Sequence, residues 1–336
     1  MLTAAPPSSL LARLERWQWL LPIISFAAGW VGYVAIERGP ALARVVALTV
    51  LASWFWLLLE PIAGRWLQRV SGGRLSENMA CFVTQSLQQE LLFFSLPFVL
   101  GAAQLDWAHG VFVAVLMAAA LVSTIDPFYL KRVARVPVMA VCFQVYCTWV
   151  AALVVLPIAL HLPLELSAPG AAVVALLALA AGLPRLLGSV QGIGACLRAA
   201  LPAIIVLMVV TLLAPALPPT GLRLAEARVT TEMNGLQPGL SVKRIDVATL
   251  RAEGLIAFTA IHAPAGLTQG LSFDWYHGDV CIDRIPAQIQ GVGEKARSWR
   301  TWTRKQNFDG DPRGDWHVDI RTAGGQLVGR LAFKVT

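Results

Sequence analysis

The sequence predicts two unlike parts: a membrane α-helical bundle of about seven spanning helices over residues 1–219, and an all-β domain over 220–336 of immunoglobulin-like sandwich type or a small barrel. Three observations lead there. Hydrophobic residues make up 57% of the chain and charged residues 14%, against roughly a quarter charged in soluble domains. The charges are segregated: of 27 Lys and Arg, 15 follow Pro219, and of 20 Asp and Glu, 12 do, so the first 219 residues hold only 20 charges. At Pro218-Pro219 the hydropathy changes from long apolar runs to short alternating ones.

The helices follow from those runs. Trp17 to Ile36 is uncharged over 20 residues, the length that crosses a hydrocarbon core of about 30 Å. A retained anchor fits it better than a cleaved signal, since the run is long for a signal core and no small-residue cleavage site follows. Further spans are expected near 41–59, 79–100, 107–125, 137–160, 166–184 and 199–217. The sixth is the weakest: its run Ala171–Leu183 is short and follows Pro169-Gly170, which predicts a tilted, broken or re-entrant segment.

Basic residues set an orientation. Arg13, Arg16, Arg65, Arg69, Arg74, Lys131, Arg132, Arg135, Arg185 and Arg198 fall on one side of the expected spans, and Arg38 and Arg44 on the other. The positive-inside rule then places the N-terminus in the cytoplasm and, after seven crossings, the β-domain outside, in the periplasm of a bacterial inner membrane. The net charge of +7 is largely this topology signal, so a nucleic-acid partner is excluded. The lipid bilayer is the partner the composition requires.

Strands are expected near 222–232, 240–249, 254–262, 269–277, 280–290, 297–306, 314–322 and 326–335, with turn residues at most joints. Alternation puts Phe273, Trp275, Trp316, Val318 and Ile320 inside and leaves Tyr276, His317, Asp319 and Arg321 on the other face. In Arg300-Thr301-Trp302-Thr303-Arg304 an aromatic ring stands between two guanidinium groups. Such a face can stack a sugar or meet an anionic headgroup, and it can equally be a half-buried Trp shielded by Arg stems. Trp302, Arg300, Arg304, Tyr276 and Arg321 are the candidate ligand-binding residues. Asn307, Asp309 and Asp311 open like a calcium loop, but Pro312 and Val318 stand where Gly and Glu are needed. No metal site and no cofactor are expected.

A second candidate lies within the third span. At about 100° per residue Gln85, Gln88 and Gln89 share one stripe, while Glu90 points about 140° from Gln85. A mid-span carboxylate is costly unless it is protonated, paired or wet. No basic residue lies at that depth, so Gln144 and Thr148 in the fifth span are its expected neutral partners. The stripe reads as interhelical hydrogen bonding or as a substrate or proton route.

The run Trp275-Tyr276-His277-Gly278, then Trp299 to Thr303 with Lys305, Gly314-Asp315-Trp316 with Val318 and Asp319, Gly325-Gln326-Leu327 and Phe333 resembles a bacterial C-terminal domain of unknown function attached to multi-spanning segments. The third span resembles the membrane region of such proteins through Gln85, Gln88, Gln89, Glu90 and the Leu-Leu-Phe-Phe that follows. The resemblance implies an architecture and no activity. No nucleophile-elbow, zinc-protease, nucleotide-loop or dinucleotide pattern occurs. The expectation is a non-enzymatic envelope protein whose β-domain binds a glycan, a lipid headgroup or a membrane protein partner. The alternative is a transporter or membrane-embedded enzyme using the glutamine stripe.

Overall fold

The computed structural model describes residues 75–104, 106–160, 162–187, 193–213, 216–263, 267–290 and 298–336, with isolated helical residues between Ile23 and Val34. Five long helices are seen: α1 (Leu75–Ala102), α2 (Trp107–Thr124), α3 (Pro137–Ala159), α4 (Leu164–Leu187) and α5 (Ile193–Leu213). Three of these, α2, α3 and α4, are long and apolar enough to cross a membrane, against seven spans expected. The expected second span lies outside the described residues, and most of the first does too. The expected third and seventh correspond to α1 and α5. The sixth corrects the expectation, because α4 runs unbroken through Pro169. Pro169 is interior to the helix and leaves the Glu165 carbonyl without an N–H partner, yet the helix continues through it.

The helices pack around α3, whose residues 147–158 are all buried, against Leu91, Leu92, Leu116 and Ala175 of α1, α2 and α4. Their outward positions stay apolar: Val115, Met117 and Leu121 of α2, Val173 and Leu177 of α4, and Leu201, Ile204 and Leu212 of α5 are exposed. Apolar side chains presented outward along several helices suit a lipid solvent.

Two internal prolines create backbone defects that other segments cover. Pro157 in α3 has no N–H for the carbonyl of Leu153, and the hydroxyl of Thr220, just beyond the last span, donates to that carbonyl at 2.6 Å. Pro97 in α1 leaves the carbonyl of Phe93 open in the same way. Gly29 packs there so closely that a Cβ on it would overlap that oxygen. Only glycine fits so near a backbone.

After buried residues 217–220 the chain enters the β-domain. A three-stranded sheet runs β1 (Arg223–Thr230), β5 (Leu255–His262), β8 (Trp299–Lys305). A five-stranded sheet runs β4 (Arg244–Ile245), β10 (Leu327–Val335), β9 (Gly314–Thr322), β6 (Thr268–His277), β7 (Val280–Gln290). All pairs in both are antiparallel except β4 with β10. One core lies between them, built from Leu255, Ala257 and Ile261 on one side and Phe273, Trp275, Val318, Ile320 and Phe333 on the other.

Seven of the eight expected strands form close to their expected limits. The eighth, 240–249, shrinks to the two residues of β4 and then becomes a helix, α6 (Val247–Glu253). Asp246 explains the change. Its carboxylate caps the helix by accepting from the Thr249 N–H at 2.9 Å and hydroxyl at 2.6 Å, and those bonds hold it below the ordinary carboxylate range. A short hairpin, β2 (Met233–Asn234) with β3 (Gln237–Pro238), is an addition the hydropathy did not signal.

The two parts interlock. Leu217, from the segment joining them, belongs to the helical core, and Leu164, the first residue of α4, belongs to the β-domain core.

Candidate functional site

The glutamine stripe of α1 is buried as expected: Gln85, Gln88 and Gln89 are all within the bundle. Its partners, for which the sequence offered no candidates, lie at the end of α2. The Gln85 amide donates to the Ser123 carbonyl at 3.0 Å and to Asp126 Oδ1 at 2.7 Å, and Gln88 Oε1 accepts from the Tyr129 hydroxyl at 2.6 Å. These residues sit where α2 ends. Ile125 leaves the helical conformation, Asp126–Phe128 forms one short turn, and Tyr129–Ala134 continues as a π-helix. The stripe therefore holds a broken helix end in place, next to Lys131 and Arg132. Broken helices at membrane depth require such substitute partners.

Glu90 is half-buried and has no hydrogen-bond or ion-pair partner among the described residues. Thr148, expected with Gln144 to accept from a protonated Glu90, donates its hydroxyl to the carbonyls of Gln144 and Val145 within α3. Two further buried polar atoms of α1, Gln89 Nε2 and Thr84 Oγ1, also lack partners. Asp126 and Tyr129 were missed in the sequence because they lie past the end of an apolar run. The Asp126-Pro127 pair, a helix breaker followed by a second start, was the available signal.

In the β-domain the candidate ligand residues divide between the two sheets. Trp302 is 41% exposed on the outer face of the three-stranded sheet. Register places Arg228, Phe258 and Trp302 in one row, with Arg304 opposite Ile256 and Arg300 opposite Ala260. Phe258, Ile256 and Ala260 are buried, so Trp302 and the Arg stems flank an apolar strip on the neighbouring strand. Arg300 also donates to the Leu236 carbonyl at 3.1 Å and Arg304 to the Glu253 carbonyl at 2.8 Å.

Tyr276 and Arg321 stand on the outer face of the other sheet and do not meet Trp302. There, one row crosses four strands: Arg330, Asp319, Asp274, Arg284. The two carboxylates oppose each other on adjacent strands and are fully buried, an arrangement that repels unless cations intervene. Arg330 grips Asp319 with two hydrogen bonds, its Nη2 at 2.8 Å from Oδ2, and Arg321 adds one at 2.7 Å. Arg284 lies 3.0 Å from both oxygens of Asp274. Burial pushes the Asp319 carboxyl up, but the hydrogen bonds from Arg330 and Arg321 outweigh it and hold it below the usual range. Beside this row the Tyr276 and His317 rings stack in parallel at 4.6 Å. Burial, with the Arg330 charge, lowers the imidazole, and burial raises the phenol.

Asp319 was legible as an outward residue, but its burial was not, because alternation reports direction and says nothing of what lies above. No cluster of three or more metal-ligating side chains occurs among the described residues.

A family model described as a family of unknown function (DUF5924) matches residues 4–257. The chain belongs to that family. A second model, described as a protein of unknown function (DUF2914), matches residues 268–335, over the stretch whose Trp and Gly spacing carried the resemblance. No curated protein and no solved structure matches the chain. The junction between the two matched regions falls within the β-domain. The first supplies β1, β4 and the start of β5; β5 pairs with β1 on one side and with β8 of the second on the other, and β4 pairs with β10 of the second. Each matched region needs strands of the other to complete both sheets.

Proposed function

We propose that the chain is a non-enzymatic integral protein of a bacterial inner membrane, with about seven spans and a cytoplasmic N-terminus. Its immunoglobulin-like β-domain is held against the periplasmic ends of the helices and recognises an envelope glycan. The observation that carries the placement is which helix ends the β-domain touches. The turn between α3 and α4 meets it, with Leu164 N–H donating to Gln269 Oε1 at 2.8 Å. The first turn of α4 meets it as well, with Gln269 Nε2 donating to Glu165 Oε1 at 2.9 Å. Lys131, Arg132, Arg135 and Arg185 occupy the opposite ends of the same helices. The β-domain thus sits on the side poor in basic residues, which the positive-inside rule assigns to the exterior.

Trp302 supports the glycan. It is a half-exposed ring between guanidinium groups that each keep unused donors, which suits a sugar bearing carboxylate groups. A reporter active only in the periplasm, fused after Thr336, should be active. The purified protein should retain acidic cell-wall glycan fragments, and Trp302→Ala should lose most of that retention. Equal retention by Trp302→Ala, or binding to lipid vesicles alone, would remove the glycan from the reading.

A further inference from the structure

The segment joining the two parts is a bonded joint. Thr220 supplies the donor that Pro157 denies to Leu153, in the last turns of α3. About fifty residues further on, Gln269 on β6 treats the start of α4 as a cap would. Its Oε1 accepts from the Leu164 N–H at 2.8 Å, and its Nε2 donates to Glu165 Oε1 at 2.9 Å. Gln269 is fully buried. Helix starts are ordinarily capped by their own neighbouring residues, whereas here the cap comes from a strand 105 residues away.

The charged face connects to the same place. Arg321, which binds Asp319, also donates to the Gly325 carbonyl at 3.1 Å. The turn it holds lies against Glu165, with a Cβ on Gly324 falling 3.8 Å from Glu165 Cγ. Within the same turn the Ala323 N–H donates to the Gly270 carbonyl, next to Gln269. Hydrogen bonds and packing therefore run without a gap from the Asp319 row to the first turn of α4.

We propose that this joint couples the β-domain's charged face to the membrane helices: the Arg321 turn and Gln269 set the start of α4, and Thr220 holds the end of α3 at the gap left by Pro157. A β-domain tied by a flexible linker could not exert such an effect. The coupling is independent of which ligand the β-domain takes and of which side of the membrane it occupies, so it stands apart from the glycan reading.

Hydrogen–deuterium exchange on the full-length protein in detergent tests it. Thr220→Val, which keeps shape and removes the donor, should speed exchange in residues 152–160 of α3 by roughly fivefold, the scale of one hydrogen bond. Thr220→Ser, which keeps the donor, should stay near wild type. Gln269→Ala and Arg321→Ala should each speed exchange at residues 164–168 by a similar factor while residues 140–150 of α3 are unaffected. If Thr220→Val and Arg321→Ala both leave the helix ends at wild-type rates, the coupling is refuted. Should Gln269→Ala unfold the β-domain, Thr220→Val and Arg321→Ala decide alone.

Discussion

Replacing Asp319 by Ala removes the acceptor for three guanidinium hydrogen bonds, two from Arg330 and one from Arg321. Bonds to charged groups contribute roughly 1.5–3 kcal/mol each when buried. Arg330 and Arg321 are 51% and 30% exposed, so both regain water on losing the carboxylate, and about half of that sum is recovered. Relief of the repulsion from Asp274 lowers the cost slightly further. The net expectation is a loss of about 2–4 kcal/mol, consistent with breaking one side of a partly buried ion pair. At a urea dependence of roughly 1.5 kcal/mol per molar, the midpoint falls by about 1.3–2.7 M. Asp319→Asn, which keeps the volume and one acceptor, should cost about half as much. Asp274→Ala frees only Arg284, which is 66% exposed, and should cost least. The assay is a urea titration of the full chain in detergent, followed by near-ultraviolet circular dichroism. An Asp319→Ala midpoint within about 0.3 M of wild type, or an Asp274→Ala loss as large as that of Asp319→Ala, would refute the reasoning.

Other perturbations have equally definite outcomes. His317 is held below its ordinary value, so the unfolded chain takes up a proton first as pH falls; stability contributed by the neutral ring is full above about pH 6.5 and declines below it. The urea midpoint should drop between pH 7 and 5.5 in wild type, and His317→Gln should flatten that slope; equal slopes would contradict the assignment. Gly29→Leu places a side chain into the backbone of α1 at Phe93 and should destabilise the bundle by at least 2 kcal/mol, on the scale of overpacking, read as a lower melting temperature in detergent. Glu90→Gln keeps shape and adds a donor at a partnerless, half-buried carboxyl. It should leave melting unchanged, and a protein that no longer accumulates would mean an ionised Glu90 with a cationic partner.

What the sequence disclosed and what it hid follow from range. Charge-free runs and alternation are local, and they located α2, α3, α4 and seven strands closely. The strand expected at 240–249 failed because one capping side chain, Asp246, outweighs a weak apolar pattern. Pro169 was overvalued as a breaker: α4 continues through it, as α1 and α3 continue through Pro97 and Pro157. At the candidate sites, residue direction was readable and pairing was not. The amide stripe was visible at Gln85, Gln88 and Gln89, yet its partners Asp126 and Tyr129 lie 41 positions away. Trp302 and Tyr276 look alike as outward aromatics, and only the sheet order shows that they face opposite ways. The Gln269 cap and the Thr220 bond join residues 105 and 67 apart, a separation no periodicity reports.

The most direct test of the account is the side of the membrane on which Cys281 lies. That residue is exposed on β7, and substituting Cys81, Cys142, Cys147 and Cys196 leaves it as the one thiol in the chain. A membrane-impermeant maleimide applied to intact spheroplasts should label it before lysis to the same extent as after. Labelling that appears only once the cells are broken would place the β-domain in the cytoplasm and contradict the account.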